Sequence, residues 1–203
     1  MSDDIVDLVF ALHGEAVAQE YADILWRALQ SKLPWLADEA AAGVHPLGGV
    51  SSGDKELYLT RRAKLILRLP AERVEAARAL SGARLDLGGN VEVGAAHERP
   101  LSKITTLYSP FVTVGTAVED DFFAICGARL REVGIPAQLV CGKAHTGRGQ
   151  GEDVWRGYSL MLFGLSIDNS LRVQREGLGG ERKRGCGIFI PHKSIAAVGE
   201  ISN

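Results

Sequence analysis

The sequence predicts an α+β chain made of two successive β-α-β-β-α-β units, and three observations carry that prediction. Apolar spacing switches repeatedly between a two-residue period and a three-to-four-residue period. Gly, Pro, Asn and Asp fall between the periodic segments, where turns need them. The order of elements read up to Val93 recurs between Ile104 and Pro191, without any repeat of the residues themselves. With 203 residues, 46% hydrophobic and 24% charged, the chain can bury a real core. Its formal net charge of −2 carries no global signature of a nucleic-acid binder, so such a function needs a local basic patch.

Taken in order, Ile5 to Leu12 alternates partly and reads as a strand that His13-Gly14 ends. From Ala16 to Leu33 the pattern turns helical, with Val17, Tyr21, Ile24, Leu25, Ala28 and Leu29 on one stripe, and Pro34 stops it. Val44 to Gly49 and Glu56 to Leu59 are short extended pieces around a Ser-Ser-Gly-Asp turn. Lys64 to Leu69 alternates cleanly: Leu65, Leu67 and Leu69 share one face, and Lys64, Ile66 and Arg68 the other. Pro70 suits the first turn of a helix that runs to about Leu80, and Arg84 to Val93 reads as strand, tight turn, strand.

Ala95 to Ser102 is polar and is expected to link the units. The second unit then offers a strand from Ile104 to Val114 and a helix from Asp120 to Val133 that opens on three acidic residues. Strands at Ala137 to Ala144 and Val154 to Leu165 follow, then a helix capped by Ser166 or Asp168 and a last strand from Cys186 to Pro191. The expected division is 1–94 for the first unit, 95–103 for the linker and 104–203 for the second. Each unit has the element order of the ferredoxin-like split βαβ motif, the plan shared by RNA-recognition modules of the RRM type. Such a unit packs both helices on one face of its sheet and leaves the other face free. The aromatic signature of an RRM sheet is absent, which argues against ordinary base stacking there.

The most distinctive stretch lies between the last helix and the last strand. Over residues 177–187, five glycines frame the basic run Arg182-Lys183-Arg184. Glycine lets backbone N–H groups approach a ligand, and basic side chains beside it suit phosphates. It matches no phosphate-binding P-loop pattern, and it follows a helix and precedes a strand, the reverse of a dinucleotide-binding fingerprint. The scattered Cys126, Cys141 and Cys186 form no CxxC pair, so neither a zinc site nor a disulfide framework is expected, and they fit a reducing cytoplasm. An acidic N-terminus and the absence of a long apolar run point the same way, away from a membrane.

Gly177 to Pro191, placed after two such units, resembles the glycine-rich loop that marks the RAMP superfamily of CRISPR proteins. More narrowly it is similar to the CRISPR-associated endoribonucleases that process precursor CRISPR RNA, in the small subtype of myxobacterial type I loci. Leu33-Pro34-Trp35-Leu36, Gly43-Val44-His45-Pro46-Leu47, Leu65 to Pro70 and Leu107-Tyr108-Ser109 stand in the order that resemblance expects. The resemblance implies an enzyme whose partner is the CRISPR repeat hairpin. It would cut once at the 3′ base of the stem by attack of the ribose 2′-OH, leaving a 2′,3′-cyclic phosphate, with no metal and no cofactor. It equally admits a non-catalytic RAMP subunit that holds CRISPR RNA beside other effector-complex subunits. A third class, a metabolic enzyme binding a small phosphate ligand at the loop, is open on the residues alone.

That reaction needs a base for the 2′-OH, an acid for the 5′ oxygen and donors for the phosphorane charge. His45, at a Gly/Pro-punctuated entry after the first helix, is the first catalytic candidate; a loop imidazole packed on Pro46 is the plain alternative. His13, at the end of the first strand, is the second, and Tyr21 on the first helix is a possible helper or simply a core aromatic. RNA contacts are expected from Arg61, Arg62, Lys64 and Arg68 around one strand and from Lys143 and Arg148 in a basic loop. Arg172 and Arg175 on one helix face, and Arg182, Lys183 and Arg184 in the glycine-rich loop, complete the expected set.

Overall fold

The computed structural model describes residues 4–51, 53 and 55–192, so the part of the second unit after His192 lies outside the described residues. In the first unit the strands are β1 (Ile5–His13), β2 (Ala16–Ala18), β3 (Gly43–Val44), β4 (Gly49–Ser51), β5 (Glu56–Leu59), β6 (Lys64–Pro70), β7 (Arg84–Asp86) and β8 (Asn90–Pro100). The helices are α1 (Tyr21–Lys32) and α2 (Val74–Ala77). The main sheet runs β3-β6-β1-β8-β7, all antiparallel, and β2-β5-β4 forms a small second sheet. The second unit holds β9 (Leu107–Val112), α3 (Glu119–Glu132), β10 (Gln138–Arg148), β11 (Val154–Phe163), α4 (Ile167–Glu176) and β12 (Ile190–Pro191), in the sheet order β10-β11-β9-β12.

Alternation decides which face of each sheet is dry. Leu8, Phe10 and Leu12 of β1 meet Leu65, Leu67 and Leu69 of β6 under Leu25 and Leu29 of α1, with Leu33 just after it, in the first core. The second core gathers Leu107, Leu160 and Leu162 under Phe122, Cys126 and Leu130 of α3 and Val173 of α4. Ser166 caps α4 by accepting a hydrogen bond from the Asn169 N–H at 3.2 Å.

Local spacing misleads in several places: the last strand is only Ile190–Pro191 where Cys186 to Pro191 is expected, and β10 runs on to Arg148 past the expected end at Ala144. Ala16–Ala18 is a strand, not the first turn of α1, because it pairs with Glu56–Leu59, and Val17 is buried from there. The stretch after Pro70 is helical as expected, but only Val74–Ala77 is regular α, flanked by 3-10 turns. Residues 95–100, expected as linker, continue β8 because they pair with β1 as far as Val6↔Pro100. The true connection is therefore short, and α4 pins it. Gln174 donates to the Ser102 carbonyl at 2.7 Å and accepts from the Ser102 N–H at 3.1 Å, while the Ser170 hydroxyl donates to the Ile104 carbonyl at 2.5 Å.

Arg68 joins the two units. It faces away from the first core, as alternation predicts, yet it is 1% exposed because the second unit covers it. Its Nε and Nη2 clasp Asp7 at 2.8 and 3.1 Å, and its Nη1 donates to the carbonyls of Gln174 and Phe189 at 3.0 and 2.8 Å. A buried guanidinium with all three nitrogens engaged is a structural element, so the expected contact between Arg68 and RNA is corrected here. Removing one partner of a buried ion pair costs roughly 3–5 kcal/mol. Arg68→Ala is expected to lose stability on that order in urea melts, and Arg68→Lys to recover little of it, since an ammonium cannot fork to the carboxylate.

Candidate active site

β1, β6 and β8 are neighbours, and their register sets Asp7 opposite both Arg68 and Arg99. β3 is the next strand outward; the His45 N–H donates to the Ile66 carbonyl at 2.9 Å, which fixes the imidazole beside the same carboxylate. Asp7 thus receives four hydrogen bonds. Oδ1 takes His45 Nε2 at 3.1 Å and Arg68 Nε at 2.8 Å, while Oδ2 takes Arg68 Nη2 at 3.1 Å and Arg99 Nη2 at 3.0 Å. His45, Asp7 and Arg99 line a cleft of about 570 Å³ between the units, closed on the far side by Pro110, Gln174, Ile188 and Ile190.

The charge states follow from these contacts. Burial alone would push the Asp7 carboxyl up, but the hydrogen bonds and charges of His45 and Arg68 outweigh it and hold the group well below the ordinary 3.8. Burial pushes His45 below its ordinary 6.5; Asp7 opposes this only in part, and Arg68 and Arg99 add to the depression. At neutral pH the ring is therefore uncharged. Its Nε2 carries the proton donated to Asp7, and Nδ1 is an unprotonated base with no hydrogen-bond partner among the described residues. A neutral imidazole oriented by a carboxylate, with an arginine two bonds away through the same carboxylate, can abstract a proton and face a developing anion.

The other expected site residues lie elsewhere. His13 is exposed at the opposite end of β1, about 20 Å from Asp7 at strand rise, beside Glu92. Tyr21 is drawn into the protein, where its hydroxyl accepts from the Leu47 N–H at 2.7 Å and burial pushes its pKa up to about 12. Tyr21 therefore braces the loop after His45 and offers no ready proton. Arg61, Arg62 and Lys64 are exposed at the far end of β6, away from the cleft, and Lys143 and Arg148 are exposed on β10. Arg172 is tied to Glu176 at 2.8 Å and to the Val133 carbonyl at 2.8 Å, and the Arg175 carbonyl accepts from Arg182 at 2.9 Å.

The basic run of the glycine-rich loop also has another use. Its three residues form a 3-10 turn wedged against the first unit. Arg182 reaches the Arg175 and Ala41 carbonyls, and burial, with Arg68 nearby, lowers its pKa to about 10. Lys183 donates to the Ala37 carbonyl and lies 5.6 Å from the Trp26 ring. Arg184 pairs with Asp23 and Asp153, each at 2.9 Å, and stacks on Trp155 at 4.7 Å. The expectation that these three cations are offered to RNA is corrected by contacts that commit them to the protein's own seam. The glycines serve closeness here: at Gly179, with φ +86°, a Cβ would come within 2.2 Å of the Thr113 carbonyl oxygen.

Sequence reasoning did not single out Asp7, which falls inside the first expected strand, or Arg99, which falls in the expected linker. The signal that could have found them is the register: once β1 lies between β6 and β8, a buried acid facing two arginines needs a reason.

The Cas6 CRISPR family model matches residues 6–194. A CRISPR-associated endonuclease Cas6 of Myxococcus xanthus strain DK1622 is 36% identical over 195 residues, spanning 95% of this chain and 84% of that protein. Among solved structures, one described as a RAMP protein binding different RNA substrates superposes with a TM-score of 0.68 at 12% identity, over 94% of this chain and 100% of that one. The Thermus thermophilus Cse3 structure, bound to an RNA representing a pre-cleavage complex, gives 0.54 at 13% identity over 92% and 98%. The chain is a CRISPR-associated protein. It belongs to the Cas6 family.

Both depressed pKa values carry the same sign for stability. Below about pH 6.5 an unfolded chain protonates His45 before the folded one does, and below 3.8 the same holds for Asp7. Folding stability should therefore fall as pH drops through 6.5 and fall again below 3.8. In His45→Gln the first decline should shrink by up to about 1.4 kcal/mol per pH unit, read from denaturant melts between pH 7.5 and 5.

Proposed function

We propose that this protein binds the CRISPR repeat hairpin and cleaves precursor CRISPR RNA at the 3′ base of the stem, without a metal ion, as a tandem of two ferredoxin-like units. Family membership and the endonuclease named in the 36%-identical relative support RNA processing. The observation that carries the chemical reading is the neutral His45 held by Asp7 in the cleft between the units. In this reading His45 Nδ1 takes the proton of the 2′-OH and the 2′ oxygen attacks phosphorus. The bond to the 5′ oxygen breaks, that oxygen takes a proton from water, the resulting hydroxide is neutralised by the His45 imidazolium, and a 2′,3′-cyclic phosphate remains. Arg99, anchored to Asp7 by one Nη, turns its remaining donors to the phosphorane charge. The basic side chains that remain exposed, Arg61, Arg62, Lys64, Lys143 and Arg148, supply backbone contacts. The free Cys126, Cys141 and Cys186 suit a reducing cytoplasm.

One observation favours the second reading, a subunit that holds CRISPR RNA for other effector subunits without cutting it: the His45 residue is only 5% exposed. Labelled repeat RNA incubated in EDTA separates the two. The first reading expects a single cut at the stem base, with an upstream product that resists ligation at its 3′ end until its cyclic phosphate is opened and removed. It also expects His45→Ala to lose at least a hundredfold in rate while its affinity for the hairpin stays within a few fold. Tight binding with no cut by the wild-type protein would establish the second reading. Full activity in His45→Ala would remove His45 from the chemistry.

A further inference from the structure

A second cleft, of about 360 Å³, lies on the other side of the same seam. Pro46 and Pro110 line both clefts, so the two are separated by little more than these rings, and Pro46 is the residue after the catalytic His45. Phe111 and His145 stand in the second cleft as a tilted ring pair, centroids 5.5 Å apart at 38°. Phe111 is half-buried, and among the described residues it belongs to neither hydrophobic core. A Phe left out of both cores, on a cleft wall, presents a stacking surface that packing does not explain. His145 is neutral at physiological pH, since burial and Lys143 both depress its pKa, so the ring pair carries no charge that a base would have to desolvate. Arg148 stands at the rim, and its contact is with Glu20 at 3.4 Å, between side chains 59% and 56% exposed. Such an exposed pair contributes little and exchanges readily for a phosphate.

We propose that this second cleft is a nucleobase subsite, in which an unpaired base next to the cleaved bond stacks on Phe111 beside His145 while its phosphate meets Arg148. The inference rests on the RNA-cleaving reading above and extends it. The strand crosses the Pro46–Pro110 ridge, with the scissile phosphate at His45 on one side and a neighbouring base seated on the other. Stacking on an aromatic platform tolerates any base and is worth about 1–3 kcal/mol, or roughly 5- to 150-fold in Kd. Its value here is register: it fixes which phosphate reaches His45.

The test uses repeat hairpins with single-stranded flanks, made non-cleavable by a 2′-deoxy residue at the cut site. Each unpaired flanking nucleotide is replaced in turn by an abasic residue, and Kd is measured for the wild-type protein, Phe111→Ala and Phe111→Trp. One abasic position should weaken wild-type binding 5- to 150-fold. Phe111→Ala should show the same loss on intact RNA and no further loss at that one position, whereas Phe111→Trp should bind as the wild type does. Phe111→Leu, which keeps apolar volume without a ring, should behave as Phe111→Ala, so that a folding defect in the alanine variant does not decide the outcome. Phe111→Ala binding intact RNA as the wild type does, or losses that add at every position, would overturn the subsite while leaving cleavage at His45 standing. Failure of the wild-type protein to bind any hairpin would overturn the RNA reading and the subsite together.

Discussion

One buried carboxylate with four donors on it sets the relations among the rest of the molecule. Asp7 is 3% exposed and sits at the centre of the main sheet of the first unit, between Arg68 and Arg99. Burying a charge is costly unless it is paired and hydrogen-bonded, and every donor on Asp7 meets that cost while doing something else. Arg68 carries the pair across the seam to backbone carbonyls of the second unit. Arg99 is held half-exposed at the cleft. His45 is fixed in one tautomer. The same carboxylate that anchors the arginine joining the units also orients the imidazole of His45, so the seam and the candidate site share a single group.

The seam has a second fastening in the glycine-rich loop. Its cations meet Asp23, Trp26 and Ala37 of the first unit and Trp155 and Asp153 of the second. This changes the meaning of a motif that reads, on residue type, as a phosphate cradle. Glycine is needed where the loop passes Thr113 just after β9, and the basic residues pair with Asp23 and Asp153 and donate to the Ala37, Ala41 and Arg175 carbonyls. The two fastenings lie around the clefts, which take their walls from both units.

The order of elements was legible because apolar period and Gly/Pro punctuation are local properties, and most of the expected strands and helices stand where those signals put them. What failed was non-local. Ala16–Ala18 became a strand because β5 was available to pair with it, and residues 95–100 stayed in a strand because β1 lay beside them. The site divides the same way. His45 could be singled out from residue type and position. Asp7 and Arg99 acquire meaning only through register, and Arg68 and Arg184 change role only because another unit packs over them. Charge patterns in a sequence report which residues are ionised, not which surface is left for a partner.

The central claim is that Asp7 holds His45 neutral, with its proton on Nε2 and with Nδ1 unprotonated. The direct measurement is the ¹⁵N chemical shifts of the His45 ring nitrogens, followed by NMR from pH 8 to pH 5. The account predicts a protonated Nε2 and an unprotonated Nδ1 at pH 7, with titration below the ordinary 6.5. An imidazolium at pH 7, or the proton on Nδ1, would contradict it.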